Sequence, residues 1–202
     1  MAWKPTYATN AEVASIILEV TGLAESDAWI PLVNEAASRA VDSHTRRQFG
    51  LIDTPVEMIC PDITYRGDRG RYVVAIPDLM TEVGLVIEVA GQTVTDGYRL
   101  EPSSAALDGK PWTRLALPIG ASYSWYPDEA EAAVTARWGW STTPVTIKAA
   151  ELLQVQRFYM RRGSPFGVAG SPDVGSELRL LSKVDPDVGV MLADYVRPAS
   201  AR

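Results

Sequence analysis

The chain has 202 residues, 47% of them hydrophobic and 22% charged, the composition of a folded globular protein rather than of a disordered or membrane-inserted one. Nineteen Lys and Arg stand against 25 Asp and Glu, a net charge of −6 that leaves no basic surface for gripping nucleic-acid phosphates. A single Cys (Cys60) and a single His (His44) exclude an internal disulfide and a Cys/His zinc site, each of which needs several such residues.

The opening Met1-Ala2-Trp3-Lys4-Pro5-Thr6-Tyr7 has no apolar core of an export signal, and no apolar run approaches the roughly 18 residues of a membrane span, so a cytoplasmic product is expected. Thr9-Asn10-Ala11-Glu12 has the spacing of a capping box and starts a first helix, with Val13, Ile16, Ile17 and Val20 on one face and Gly22 as its stop. Ser26 or Asp27 can cap a second helix that carries Pro31 in its first turn. Ile30, Val33, Ala37, Ala40, Val41 and His44 share a face of it, and Gly50 is the expected end.

From about residue 52 the apolar period changes from helical to alternating, and Gly, Pro and Asp clusters recur at the short intervals of a β-domain. Strands are expected at 56–60, 71–76, 83–89, 93–94, 98–101, 113–117 and 133–138, with turns at Gly67-Asp68-Arg69-Gly70 and Ala90-Gly91. A third helix follows, with Thr143 as N-cap, Pro144 at its first position, Ile147, Ala150 and Leu153 inward, and a basic end at Arg157, Arg161 and Arg162. A Gly/Ser/Pro-rich loop over 163–176 and a short apolar stretch, Leu178 to Leu181, lead to Asp185-Pro186-Asp187, which opens a last helix reaching about Val196. The tail from Pro198 is expected to be mobile.

These elements predict an α+β protein: a small bundle of three to four helices with a β-rich insertion, barrel or sandwich, between the second and third helices. The expected division is 1–51 (arm and first two helices), 52–142 (β-rich insertion) and 143–202 (third helix, Gly-rich loop, final helix and tail). Charge is uneven across it: residues 51–142 hold 7 basic and 13 acidic side chains, whereas 143–170 hold 4 basic and 1 acidic.

No arrangement of residues amounts to an active site. His44 has no nucleophile or carboxylate beside it in sequence, and Cys60 has no basic neighbour to lower its pKa, so a structural role is expected for both. The acidic groups Asp62 with Asp68, Asp128 with Glu129 and Glu131, and Asp185 with Asp187 have no diagnostic spacing and read as solvated turns and helix caps. Gly163 to Gly170 follows a helix and lacks a Gly-Lys-Ser/Thr ending, which makes it a contact loop rather than a phosphate cradle. Arg66-Gly67-Asp68 reads as a turn. Trp112, Trp125, Trp138 and Trp140 offer two readings, an aromatic core at the seam of sheet and helices or a glycan-binding platform, and the core reading is preferred. No enzyme activity, metal or cofactor is expected.

Three stretches carry a family likeness: Ala40 to Phe49 with Thr45, Arg47 and Phe49; Val134 to Trp140 with Trp138-Gly139-Trp140, continuing through Pro144 to Arg162; and Ser164 to Gly167, Gly170 to Ser176 and Asp185 to Arg197. On these the chain resembles the head-to-tail adaptor (head–tail connector) proteins of long-tailed bacteriophages, departing from their commoner second-helix ending at His44 and Arg46. The resemblance implies a structural virion protein, assembled in the host cytoplasm, that forms a ring of twelve copies on the portal and extends the DNA channel toward the tail. Its partners would be the portal, a stopper or tail-completion protein and further copies of itself, with DNA passing the lumen unbound and no membrane involved. The C-terminal residues Tyr195, Arg197 and Arg202 would face the portal. The charge asymmetry nominates Arg157, Arg161 and Arg162 for the contact with a neighbour's acidic β-region, where exposed ion pairs of about 0–1 kcal/mol each would set register. The rival readings are a head-completion or stopper protein, against which the helical ends argue, and a glycan-binding or hydrolytic virion module using the Trp residues with Glu129 or Glu131.

Overall fold

The computed structural model describes residues 3–21, 28–66, 70–118, 131–161, 168–169, 178–179 and 184–198. They form two units, one of Gln48–Thr142 and one of Ala2–Arg47 with Thr143–Arg197.

The helical unit begins with α1 (Asn10–Thr21), and the capping box that starts it is formed: Glu12 N–H donates to Thr9 Oγ1 (3.2 Å) and Thr9 N–H to Glu12 Oε2 (2.8 Å). A third partner joins it, because Lys148 donates to Glu12 Oε1. The Lys148 hydrogen bond, and behind it those from Thr9, hold the Glu12 carboxyl at about 2. Removing the cap with Thr9→Ala is expected to cost about 1 kcal/mol, read as a shift in the urea midpoint of this unit; an unchanged midpoint would mean that the cap does not hold the helix start.

Helix α2 (Trp29–Thr45) ends before Gly50. Arg46 takes the left-handed conformation (φ 57°), its N–H caps Asp42 O at 2.7 Å, and Thr45 O turns away from the helix to accept the Arg197 N–H at 2.8 Å. Its buried face, Ile30, Val33, Asn34, Ala37, Ser38, Val41 and Thr45, contains three polar side chains, while Ala40 and His44 are half-buried at its border. The third long helix runs Val145–Met160, one residue later than expected, because Pro144 itself is the cap residue (ψ 141°) and no side chain caps it. The inward positions are Ile147, Ala150, Glu151, Gln154, Val155 and Tyr159, and Leu153 is 40% exposed. A last helix, Pro186–Leu192, is capped by Asp185, whose Oδ1 accepts the Asp187 N–H (3.0 Å), and a 3₁₀ turn Ala193–Tyr195 follows it. Ala8, Val13, Ala14, Ile17, Ile30, Val33, Ala37, Val155 and Tyr159 make the core of the unit.

Two four-stranded antiparallel sheets make up the other unit. One has the order β1 (Val56–Cys60), β8 (Ala132–Ala136), β4 (Val86–Val89), β5 (Gln92–Thr93). The second has the order β2 (Thr64–Arg66), β3 (Arg71–Leu79), β7 (Trp112–Leu117), β6 (Arg99–Glu101). Residues of both sheets, among them Val74, Ile76, Leu115 and Leu117 from one and Ile87, Val89, Val134 and Ala136 from the other, share one apolar core, as in a sandwich. The alternation that marks β8 in sequence places Val134 against Ile87 on one side and Met58 on the other. In β3 the register shifts between Ala75 and Leu79, around Pro77, which has no N–H for the ladder. The strand β2, a short helix α3 (Ala105–Asp108) and a two-residue pair, β9 (Val168–Ala169) with β10 (Leu178–Arg179), have no counterpart in the expected elements. With α3 counted, the long helices become α4 (Val145–Met160) and α5 (Pro186–Leu192), and the whole is the expected mixed α+β fold. Among the described residues no helix is long and apolar enough to cross a membrane.

Candidate assembly surface of the helical unit

Glu151 is a charged residue at an inward position of α4, fully buried, and it survives there because donors converge on it. Ser38 of α2 and the Tyr7 backbone N–H (3.4 Å) both donate to Oε1. Burial still pushes its carboxyl above the usual range, against the opposing pull of Ser38, the arm's backbone and the Arg39 charge. The same layer ties down the N-terminal arm. Asn34 Nδ2 donates to Ala8 O (3.0 Å), Tyr7 Oη to Asp42, and Arg39 both donates to Pro5 O and pairs with Asp42 (3.1 Å). Three residues after Glu151, Gln154 is also buried, and its Oε1 accepts the Asp185 N–H at 3.1 Å.

The C-terminal segment is held by the end of α2. Arg47 Nε donates to Tyr195 O (2.8 Å), and Arg197 N–H donates to Thr45 O (2.8 Å). Thr45 and Arg47, singled out by the family likeness, therefore grip Tyr195 and Arg197, singled out as portal-facing. Both C-terminal residues remain half-buried, so part of each side chain reaches solvent. Arg202 lies outside the described residues.

The three basic positions at the end of α4 part company. Arg157 pairs with Asp185 and so braces α5, Arg161 is half-buried on the wall of a cleft, and Arg162 lies outside the described residues. His44 lies on the wall of that same cleft.

In the sheet unit Phe49 is fully buried with its ring 5.0 Å from that of Trp140. Trp138 and Trp140 are buried, each indole N–H bonded, to Val56 O (2.8 Å) and to Asp78 Oδ2 (2.9 Å). Between them Gly139, at φ 108°, donates to Asp78 O (2.7 Å) and bridges Leu51 and Leu79, a backbone conformation that favours glycine. Two of the four indoles of a glycan platform are thus core, a third, Trp112, packs partly against it, and Trp125 lies outside the described residues. Cys60 is buried among apolar neighbours, and that burial raises its thiol pKa. Glu131 and Asp62 are exposed, Asp62 with positive φ (65°), while Asp68, Asp128 and Glu129 fall outside the described residues. No cluster of three metal-ligating side chains occurs among the described residues.

The polar layer of Asn34, Ser38, Glu151 and Gln154 has no counterpart among the expected features. Its signal is a polar residue at a helical step from apolar ones: Asn34 and Ser38 beside Ile30, Val33, Ala37 and Val41, and Glu151 and Gln154 beside Ile147, Ala150 and Val155.

No protein-family model and no curated protein matches the chain. Among solved structures it is similar to a chain described as "Neck of empty GTA particle computed with C6 symmetry", with a TM-score of 0.57 and 20% identity over 98% of this chain and 94% of the other. A further similarity is to "Neck of native GTA particle computed with C12 symmetry", with a TM-score of 0.47 and 17% identity over 98% and 96%. At such identity the likeness is one of fold: from end to end, this chain has the mixed α+β fold of a chain from a particle neck.

Proposed function

We propose that this chain is a structural subunit of a phage-like virion, a head-to-tail adaptor whose copies close into a ring on the portal and extend the DNA channel toward the tail. The observation that carries the reading is the match of fold along 98% of the chain to a neck chain, made by a sequence that resembles adaptors at Thr45, Arg47, Phe49 and Trp138 to Trp140. The neck of that GTA particle was computed with C6 symmetry, and rotational symmetry in a neck fits a closed ring of the kind the resemblance puts at twelve copies.

The chain's own features support the part it would play. No reaction is catalysed, and mechanism here means mutual stabilisation: each copy offers one face to the next, and the portal below imposes the rotation that closes the ring. A net charge of −6 repels DNA phosphates, so a channel built from such subunits passes DNA without holding it. Tyr195 and Arg197, held by Arg47 and Thr45 yet half-exposed, are a preorganised contact for the portal, and the stopper or tail-completion protein would meet the opposite rim. Electron microscopy of the purified chain mixed with a portal oligomer from the same particle tests this reading. A ring stacked on the portal is expected; a bare portal at high protein concentration overturns it.

A further inference from the structure

Beside the polar layer, α2 and α4 frame a cleft of about 520 Å³ whose wall includes Ser43, His44, Arg46, Gln154, Phe158 and Arg161. Each polar side chain among these can donate a hydrogen bond, two of them carry a fixed positive charge, and none of the described lining residues is acidic. Two of the donors are buried and unmatched. Gln154 spends its Oε1 on the Asp185 N–H, leaving Nε2 without a partner, and Arg161 Nη2 has none either. Among the described residues of α2, α4 and the Asp185 cap, Asp42 is engaged by Tyr7 and Arg39 and Asp185 by Arg157, Glu35 is exposed, and Glu151 accepts from Ser38 and Tyr7 through Oε1 while its Oε2 has no partner. A buried donor carries its desolvation penalty until an acceptor arrives, and an acceptor that is also anionic answers both the geometry and the charge.

We propose that this cleft is a socket for a carboxylate-bearing segment of a second copy of the chain, supplied by its acidic β-unit. The proposal rests on the ring reading of the preceding subsection. Charge complementarity identifies the occupant: residues 51–142 hold 13 acidic and 7 basic side chains, and in a ring each subunit sets one face against a different face of its neighbour. Planar guanidinium groups take carboxylates in paired hydrogen bonds, which fixes the angle between subunits as well as their attraction. The socket regroups the basic residues read from sequence. Arg161 stays in the interface, Arg157 leaves it for Asp185, and Ser43, His44 and Arg46 of α2 and its C-terminal end join it.

The test places an amine at the mouth of the cleft. Full-length Ser43→Lys, mixed as isotope-labelled and unlabelled copies and assembled on the portal, is treated with a carbodiimide, and cross-linked peptides are identified by mass spectrometry. The expected links join position 43 of one copy to an Asp or Glu within 51–142 of another. Links confined to one copy, links to the portal, or no link at position 43 overturn the socket. In the same preparations, Arg161→Glu is expected to lower ring formation at least tenfold. If Arg161→Glu instead weakens retention on a DNA column and leaves ring formation unchanged, the cleft is a phosphate site and the proposal falls. Images of the unsubstituted chain separate the two levels: rings on the portal without these links overturn the socket alone, whereas a bare portal overturns the ring reading and the socket with it.

Discussion

Trp140→Ala is expected to lower the stability of the β-unit by about 3–5 kcal/mol, more than any other single substitution named for this chain. The indole is 2% exposed and stacks obliquely on Phe49, so truncation opens a cavity that the surrounding side chains cannot fill by a small shift. It also withdraws the Nε1 hydrogen bond (2.9 Å) from the buried Asp78 carboxylate. Trp140→Phe separates much of the two contributions, because it keeps a six-membered aromatic ring in the core while losing the N–H and the rest of the indole; about 1–3 kcal/mol is expected of it. Urea unfolding followed by far-UV circular dichroism reads both values. A loss below about 1 kcal/mol for Trp140→Ala would contradict the placement of this residue in the interior of the unit.

Glu151→Ala is the second, with an expected loss of roughly 2–4 kcal/mol from the helical unit. It leaves a void between α2 and α4 and removes the acceptor of the Tyr7 N–H and the Ser38 hydroxyl. Glu151→Gln behaves differently, and pH reveals why. Burial raises the folded-state pKa above that of an ordinary glutamate, so across the window between the unfolded and folded values the folded chain holds the proton more tightly. Stability contributed by this group is therefore complete below the unfolded pKa and declines as pH rises through the folded one. The Gln variant carries no such proton, so its stability should be flatter with pH and should exceed the parent's at alkaline pH. A parent whose stability does not fall in that direction, or a Gln variant that tracks it, would show that the carboxyl is not buried in the way described.

Much of the architecture follows from short-range rules acting on particular residues. Thr9 and Glu12 satisfy each other's backbone groups within four residues, and the structure forms that capping box. Ala132 to Ala136 alternates between buried and half-buried positions, as the pleat requires, and is a strand over those residues. The misses share a different cause, a partner far away in sequence. Gly50 is the natural stop for α2, yet the helix ends at Thr45, whose carbonyl bonds Arg197 across the unit. Leu153 is an apolar residue at a helical step, but Glu151 and Gln154 take the inward positions because Ser38, Tyr7 and Asp185 offer them hydrogen-bonding partners. Likewise Thr64 to Arg66 has no alternation to announce a strand, and becomes one only by pairing with Arg71 to Val73.

The same distinction applies to the residues expected to make contacts. Family likeness draws attention to Thr45, Arg47, Tyr195 and Arg197 separately, and only the fold joins them into one contact. Charge counting draws attention to Arg157 and Arg161 together, and the fold separates them, one to Asp185 and the other to the cleft.

Copies of this chain are proposed to close into a ring on a portal. Cryo-electron microscopy of the portal with and without the purified chain tests it most directly, because position, copy number and orientation are read from one reconstruction. An added ring of twelve copies is expected at the portal's narrow end, coaxial with the channel, with Tyr195 and Arg197 of each copy against the portal. A reconstruction in which the portal gains no density, or gains single copies without rotational order, would contradict it.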